Sequence, residues 1–155
     1  MELADILTPE RVVVDVTASS KKSLLEKAAQ LLANAADSAD ARDIFESLCQ
    51  RERLGSTGLG NGVAIPHGRV QDQASVAGAL IRLQRGIDFD SPDSEKVDLF
   101  FALAVPSECT DAHLKLLASI AQRFGDSNQR EAFRTAETAS QLHKLIAGDS
   151  AEVSP

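Results

Sequence analysis

The sequence predicts a single α/β domain, a central mixed β-sheet with α-helices packed on both faces. Three observations lead there. Two mostly apolar runs, Val76–Leu83 (VAGALIRL) and Val97–Val105 (VDLFFALAV), have the composition of strands covered on both sides. Segments of helical period stand before and after them, so helices and buried strands alternate along the chain. No repeat, linker or low-complexity tract divides the 155 residues, which are enough for one well-filled core. The domain is assigned to residues 1–148, with 149–155 as a polar tail. Strand order is not carried by this pattern.

Met1–Leu7 is short and mixed and is broken by Thr8-Pro9. Arg11–Val16 (RVVVDV) is β-branched enough for a strand. From Ser20 the period changes. Leu24, Leu25, Ala28, Leu31, Leu32 and Ala35 make one stripe of an amphipathic helix, with Ser23 and Glu26 spaced as a capping box. Asp40 is placed to cap a second helix with Ala41, Ile44, Phe45, Leu48 and Cys49 on one face, ending near Leu54 at Gly55. A glycine-dense loop (Gly55, Gly58, Gly60, Gly62) then enters a short strand, Val63–Ile65. After the strand at 76–83, Gly86–Pro92 reads as a turn region in which Asp88 and Asp90 supply turn chemistry. Pro106 closes the strand at 97–105. Helix resumes after Thr110, with Leu114, Leu117, Ala118, Ala121 and Phe124 at helical spacing and Gly125 as the stop. Asn128–Thr135 and Ser140–Ala147 are two shorter amphipathic segments.

Composition removes several classes of function. The formal net charge of −7 and the lack of a basic stripe disfavour nonspecific binding to nucleic acid or anionic lipid. Six Phe with no Trp or Tyr offer no stacking platform for single strands. No basic-then-apolar segment opens the chain, and no apolar run approaches membrane-spanning length, so no membrane insertion is expected. Cys49 and Cys109 are far apart and form no CxxC motif, and Cys49 reads as a small buried hydrophobe. The expectation is a reduced, cytoplasmic protein. Metal-ligand spacing is missing as well. The glycine loop lacks both the dinucleotide fingerprint and the P-loop ending, and it follows a helix where those motifs follow a strand.

The chemistry concentrates at Pro66-His67-Gly68. Proline fixes φ on one side and glycine frees it on the other, displaying His67 at a strand end. There one ring nitrogen can donate to a backbone carbonyl while the other offers its lone pair as a nucleophile. Arg51, Arg53 and Arg69 surround the segment. An arginine near His67 would balance a phosphoryl group, whereas solubility accounts for Arg53 and Arg69 equally well. His113 opens the helix after Pro106, where the dipole favours neutral imidazole and draws anions, or where it is a plain helix-start polar residue. Backbone amides of the glycine loop are candidates to line an anion pocket. His143, beside Lys144, reads as a surface residue.

On these residues a family resemblance becomes usable. GSTGLGNGVAIPHGR resembles the phosphorylation-site signature of the fructose/mannitol-type IIA (EIIA) proteins of the bacterial phosphoenolpyruvate-dependent phosphotransferase system. FDSPDSEKVDLFFALAVPSECTDAHLKLL is similar to the family's second signature, and the similarity spans roughly residues 3–147. Within the family, RERLGSTGLGNGVAIPHG most resembles the nitrogen-related IIA branch. The resemblance implies His67 as phospho-acceptor, through a tele-phosphohistidine, with Arg51 and His113 completing the catalytic set. It implies an HPr-like phosphocarrier (NPr) as donor, regulatory target proteins as readers of phosphorylation state, and no metal, nucleotide or other cofactor. The alternative is a sugar-specific EIIA component that passes the phosphoryl group to an EIIB domain. No IIB, IIC or phosphocarrier segment aligns with this chain, which favours the regulator.

Overall fold

A computed structural model describes residues 2–108 and 110–148, so Cys109 and the assigned tail 149–155 lie outside the described residues. A short helix α1 (Leu3–Ile6) and a 3₁₀ turn (Pro9–Arg11) lead into strand β1 (Val12–Val16). Helices α2 (Lys21–Leu32) and α3 (Ala41–Arg53) follow, then β2 (Gly58–Gly60), β3 (Val63–Ala64) and β4 (His67–Val70). The long strands β5 (Ala77–Ile87) and β6 (Val97–Pro106) precede α4 (Asp111–Gly125), α5 (Ser127–Thr135) and α6 (Ala139–Ala147). The strands form one six-stranded sheet in the order β1-β5-β6-β3-β2, with β4 also paired to β6. Pairing is mixed. β1 runs parallel to β5, and β3 and β4 run parallel to β6, while β5–β6 and β2–β3 are antiparallel.

Side-chain alternation along the two central strands divides the core into two layers, because successive residues point to opposite faces. Phe100, Ala102 and Ala104 meet Leu24, Ala28 and Leu32 of α2 and Ile44 and Leu48 of α3. Leu99, Phe101, Leu103 and Val105 meet Leu116, Ile120 and Phe124 of α4, Phe133 of α5, and Leu142 and Ile146 of α6. Helices therefore cover both faces, as the uniformly apolar strands require.

Helix starts follow the capping chemistry, with one correction. The Asp40 side chain accepts from the Asp43 amide at 2.9 Å, as expected. The capping box of α2 is Ser20 with Ser23, not Ser23 with Glu26. Ser20 Oγ accepts from the Ser23 amide at 3.1 Å, and Ser23 Oγ answers at the Ser20 amide. Helix α2 ends at Leu32, so Ala35 packs on the core from the following turn.

Three further differences have physical reasons. Strand β5 continues through Gly86 to Ile87 because Ile87 still pairs with Val97 across the hairpin, which shortens the expected turn. The buried face of α4 is Leu116, Ile120 and Phe124, and Leu114 is 52% exposed. Leu116-Leu117 offered two overlapping stripes, and sheet contact selected the one rotated away from Leu114. His143 is half-buried and not a surface residue, since its Nε2 lies 2.8 Å from the Leu7 carbonyl and ties α6 to the N-terminal segment.

Several arginines of this acidic protein serve structure. Buried Arg82, on β5, donates to the carbonyls of Phe133 at 2.9 Å and Ala136 at 2.6 Å, capping the end of α5. Arg123 does the same for α6 through Leu145 and Ile146, and Arg11 joins Gly78 to Ile6.

Candidate functional site

The strand carrying His67 is an interrupted one. β3 and β4 lie along β6 in one unbroken register, Val63 opposite Leu99, Ala64 opposite Phe100 and His67 opposite Leu103. The break falls at Ile65-Pro66. Proline has no N–H for a ladder, so the pairing lapses there. His67 thus begins β4 instead of ending the strand before it. The Pro66 carbonyl accepts from the Leu103 amide at 2.9 Å, which fixes the restart.

The interruption turns the Ile65 carbonyl toward the imidazole. His67 Nδ1 lies 2.8 Å from Ile65 O, and a carbonyl oxygen only accepts, so Nδ1 carries the proton. Nε2 keeps its lone pair. Burial holds the His67 pKa below the ordinary 6.5; the Ile65 bond raises it, Arg51 lowers it and Glu52 raises it. Neutral imidazole with a free Nε2 is the resting state at neutral pH.

Gly68 is glycine for a reason other than backbone freedom. Its φ is not positive, in contrast to Gly55, Gly60 and Gly62. A Cβ there would come within 3.0 Å of the Ser47 backbone, because α3 crosses β4 at this point. Ser47 Oγ donates to the Arg69 carbonyl at 2.6 Å and locks the crossing. Gly68→Ala is expected to cost roughly 1–3 kcal/mol by overpacking, a drop readable in a urea melt with an unchanged slope.

The same helix brings Arg51 to the site. Its field reaches His67, and its Nη1 donates to the Gly55 carbonyl at 2.9 Å, holding the guanidinium against the glycine loop. The next residue, Glu52, is one that sequence reasoning missed. Its side chain is 5% exposed and accepts from the Thr57 amide at 3.2 Å and from the Thr57 hydroxyl. Lys21 Nζ stands 2.9 Å from its carboxylate and 4.5 Å from the centroid of the Phe89 ring. The available signal was a glutamate at i+4 from Leu48, on the buried stripe of α3.

The loop itself is a small antiparallel hairpin, and four of its amides are engaged within the protein instead of lining an anion cradle. The amides of Thr57, Gly58, Asn61 and Ile65 donate to Glu52, Ser56 Oγ, Asp93 and the Thr57 carbonyl. Arg134 bonds the Asn61 carbonyl at 2.6 Å and pairs with Asp98 at 3.0 Å, stitching α5 to the hairpin. Arg53 and Arg69 are both exposed.

His113 occupies the third position of α4, within a capping box with Thr110. Its Nδ1 accepts from the Thr110 amide at 3.1 Å. An N–H only donates, so Nδ1 holds the lone pair and the proton sits on Nε2. Backbone partners thus hold His67 and His113 in opposite tautomers. The structure couples Arg51 electrostatically to His67; it records no direct contact from His113 to either. A groove of about 1000 Å³ lies elsewhere, among α1, α4, α5 and α6, and none of the three candidates lines it. Cys49, half-buried against the first core layer, has its thiol pKa raised by burial, in keeping with a packing role.

The family described as "Phosphoenolpyruvate-dependent sugar phosphotransferase system, EIIA 2" matches residues 5–148. A nitrogen regulatory protein of Pseudomonas aeruginosa is 44% identical over 146 residues, covering 94% of this chain and 95% of that one. Its counterpart in Escherichia coli K12 is 37% identical over 147 residues, covering 94% and 90%. The crystal structure of nitrogen regulatory protein IIA-Ntr from Neisseria meningitidis superposes with a TM-score of 0.88 at 40% identity, over 93% of this chain and 98% of that one. The chain belongs to the EIIA 2 family of the phosphoenolpyruvate-dependent phosphotransferase system.

Proposed function

We propose that the protein is a phosphocarrier of a nitrogen-related phosphotransferase system. It takes a phosphoryl group on Nε2 of His67 from a phosphohistidine of a small HPr-like carrier, and its phosphorylation state governs its binding to regulatory targets. The observation that carries this is the hydrogen bond from His67 Nδ1 to Ile65 O, which leaves Nε2 as the nucleophile. The lone pair of Nε2 forms the new N–P bond as the donor's N–P bond breaks and its electrons return to the donor imidazole. The Nδ1 proton stays in place. Such in-line transfer needs position and charge neutralisation more than acid–base chemistry.

Arg51 supplies positive charge beside His67, and His113 supplies an Nε2–H donor at a helix N-terminus. Two proteins exchanging a phosphoryl group must meet face to face, which an exposed site permits and a deep cavity does not. Leu54, Leu59 and Leu114 are exposed on the segments that carry Arg51, the glycine loop and His113, giving a partner apolar ground. No helix among the described residues is long and apolar enough to cross a membrane. The nitrogen regulatory relatives favour regulation over delivery to an EIIB domain.

The test is incubation with a phosphorylated HPr-like carrier. One acid-labile, alkali-stable phosphate per chain is expected, and no transfer from any such carrier would defeat the proposal. Because the nucleophile is the neutral ring and burial lowers its pKa, the uptake rate should fall on the acid side with a midpoint below 6.5. An NMR titration of the His67 ring should show the same acid limb; a midpoint above 6.5 would contradict the burial argument.

A further inference from the structure

Glu52 is the buried acidic group nearest to this chemistry, and the function above gives it no task. Burying a carboxylate is costly unless it is paired, and this one is paired twice, by Lys21 and by Thr57. Lys21 also stands 3.4 Å from Asp90, and Ser56 Oγ donates to the Phe89 carbonyl at 2.7 Å, so the loop beside Glu52 is fixed from both sides. The carboxylate cannot swing away. A hydrogen-bonded path joins Glu52 to the His67 ring: the Thr57 amide donates to the carboxylate, the Thr57 carbonyl accepts from the Ile65 amide at 3.1 Å, and Ile65 O accepts from His67 Nδ1 at 2.8 Å. Arg51 holds the His67 pKa down and Glu52 holds it up, with Lys21 offsetting part of the Glu52 charge.

We propose that Glu52 sets the phosphoryl-transfer potential of the site, its fixed negative charge opposing the phosphate that Arg51 attracts. This rests on His67 as the phospho-acceptor. A phosphoryl group on Nε2 brings up to two negative charges into a field already shaped by a buried carboxylate. Arg51 lowers the free energy of the phosphorylated form and Glu52 raises it. The result is a phosphohistidine held loosely enough to be passed on or returned to the donor. No bond changes beyond the N–P exchange already described, and Glu52 neither gives nor takes a proton in it.

The experiment compares Glu52→Gln and Glu52→Asp with the parent, using the phosphorylated HPr-like carrier as donor. Gln keeps an oxygen for the Thr57 amide and removes the charge. Asp keeps the charge and gives up reach. Glu52→Gln should shift the exchange equilibrium toward phosphorylated His67 by roughly three- to tenfold, the size of one charge pair across a partly screened site. Its His67 ring should also titrate at lower pH than in the parent. Glu52→Asp should hold the equilibrium within about twofold, since the charge remains. An unchanged equilibrium and titration in Glu52→Gln would overturn the proposal, as would an equal shift in Glu52→Asp. If Glu52→Gln does not fold, the paired variant Lys21→Met/Glu52→Gln removes both partners of the ion pair and should still shift the equilibrium toward phosphorylated His67; no shift in it would overturn the proposal. Failure of the acceptor reading looks different: no phosphate enters the parent or either variant, while the titration shift of Glu52→Gln persists.

Discussion

Replacing His67 with alanine is expected to abolish phosphate incorporation from a phosphorylated HPr-like carrier while leaving the protein folded. The loss should be complete because no other side chain near the site offers an equivalent lone pair. His113 presents Nε2–H, with its own lone pair committed to the Thr110 amide. His143 is half-buried in α6, with Nε2 against the Leu7 carbonyl. His113 cannot substitute without breaking the bond that organises its helix, and His143 sits on α6 against the N-terminal segment, not on the elements that carry Arg51 and His67. The structural cost is small. His67 is half-buried and makes one side-chain hydrogen bond, to Ile65 O, so truncation should remove about 1 kcal/mol. Mass spectrometry under alkaline conditions, with a circular dichroism melt, separates the two effects. Undiminished labelling of His67→Ala would reassign the acceptor, and an unfolded variant would make His67 a structural residue.

That expectation was largely legible in the sequence, because its determinants are local. Proline beside histidine removes an N–H, and removing an N–H interrupts a strand; the carbonyl freed by the interruption lies two residues away from the ring that uses it. The helix caps at Asp40 and Thr110 are local in the same sense. What the sequence concealed depends on contacts distant along the chain. Gly68 read as a glycine that frees φ beside His67, and only the crossing of α3 at Ser47 reveals it as a packing glycine. Glu52 went unnoticed, because its burial depends on Lys21 and Thr57 arriving from other elements. The face of α4 was ambiguous for the same reason. Its leucines permit two stripes, and the sheet chooses.

Arg51→Ala and His113→Ala should each slow phosphoryl uptake by roughly 10- to 1000-fold, which corresponds to about 1.4–4 kcal/mol of lost charge stabilisation. The two residues contribute differently, and the difference is testable. Arg51 acts through permanent charge beside His67, so Arg51→Lys should recover part of the rate by charge while losing the forked geometry of the guanidinium. His113 acts through one oriented donor. Its capping box assigns the proton to Nε2, so His113→Gln, which still offers an N–H, should outperform His113→Ala. Stability should change little in either case. Arg51 makes one hydrogen bond, to the exposed Gly55, and His113 closes a box whose other half, Thr110 Oγ accepting from the residue 113 amide, survives the substitution. Thermal midpoints within a few degrees of the parent are expected alongside the kinetic losses. Transfer at the parental rate in either alanine variant would remove that residue from the catalytic set. Equal rates for His113→Gln and His113→Ala would show that the helix N-terminus, not the imidazole, holds the phosphoryl oxygens.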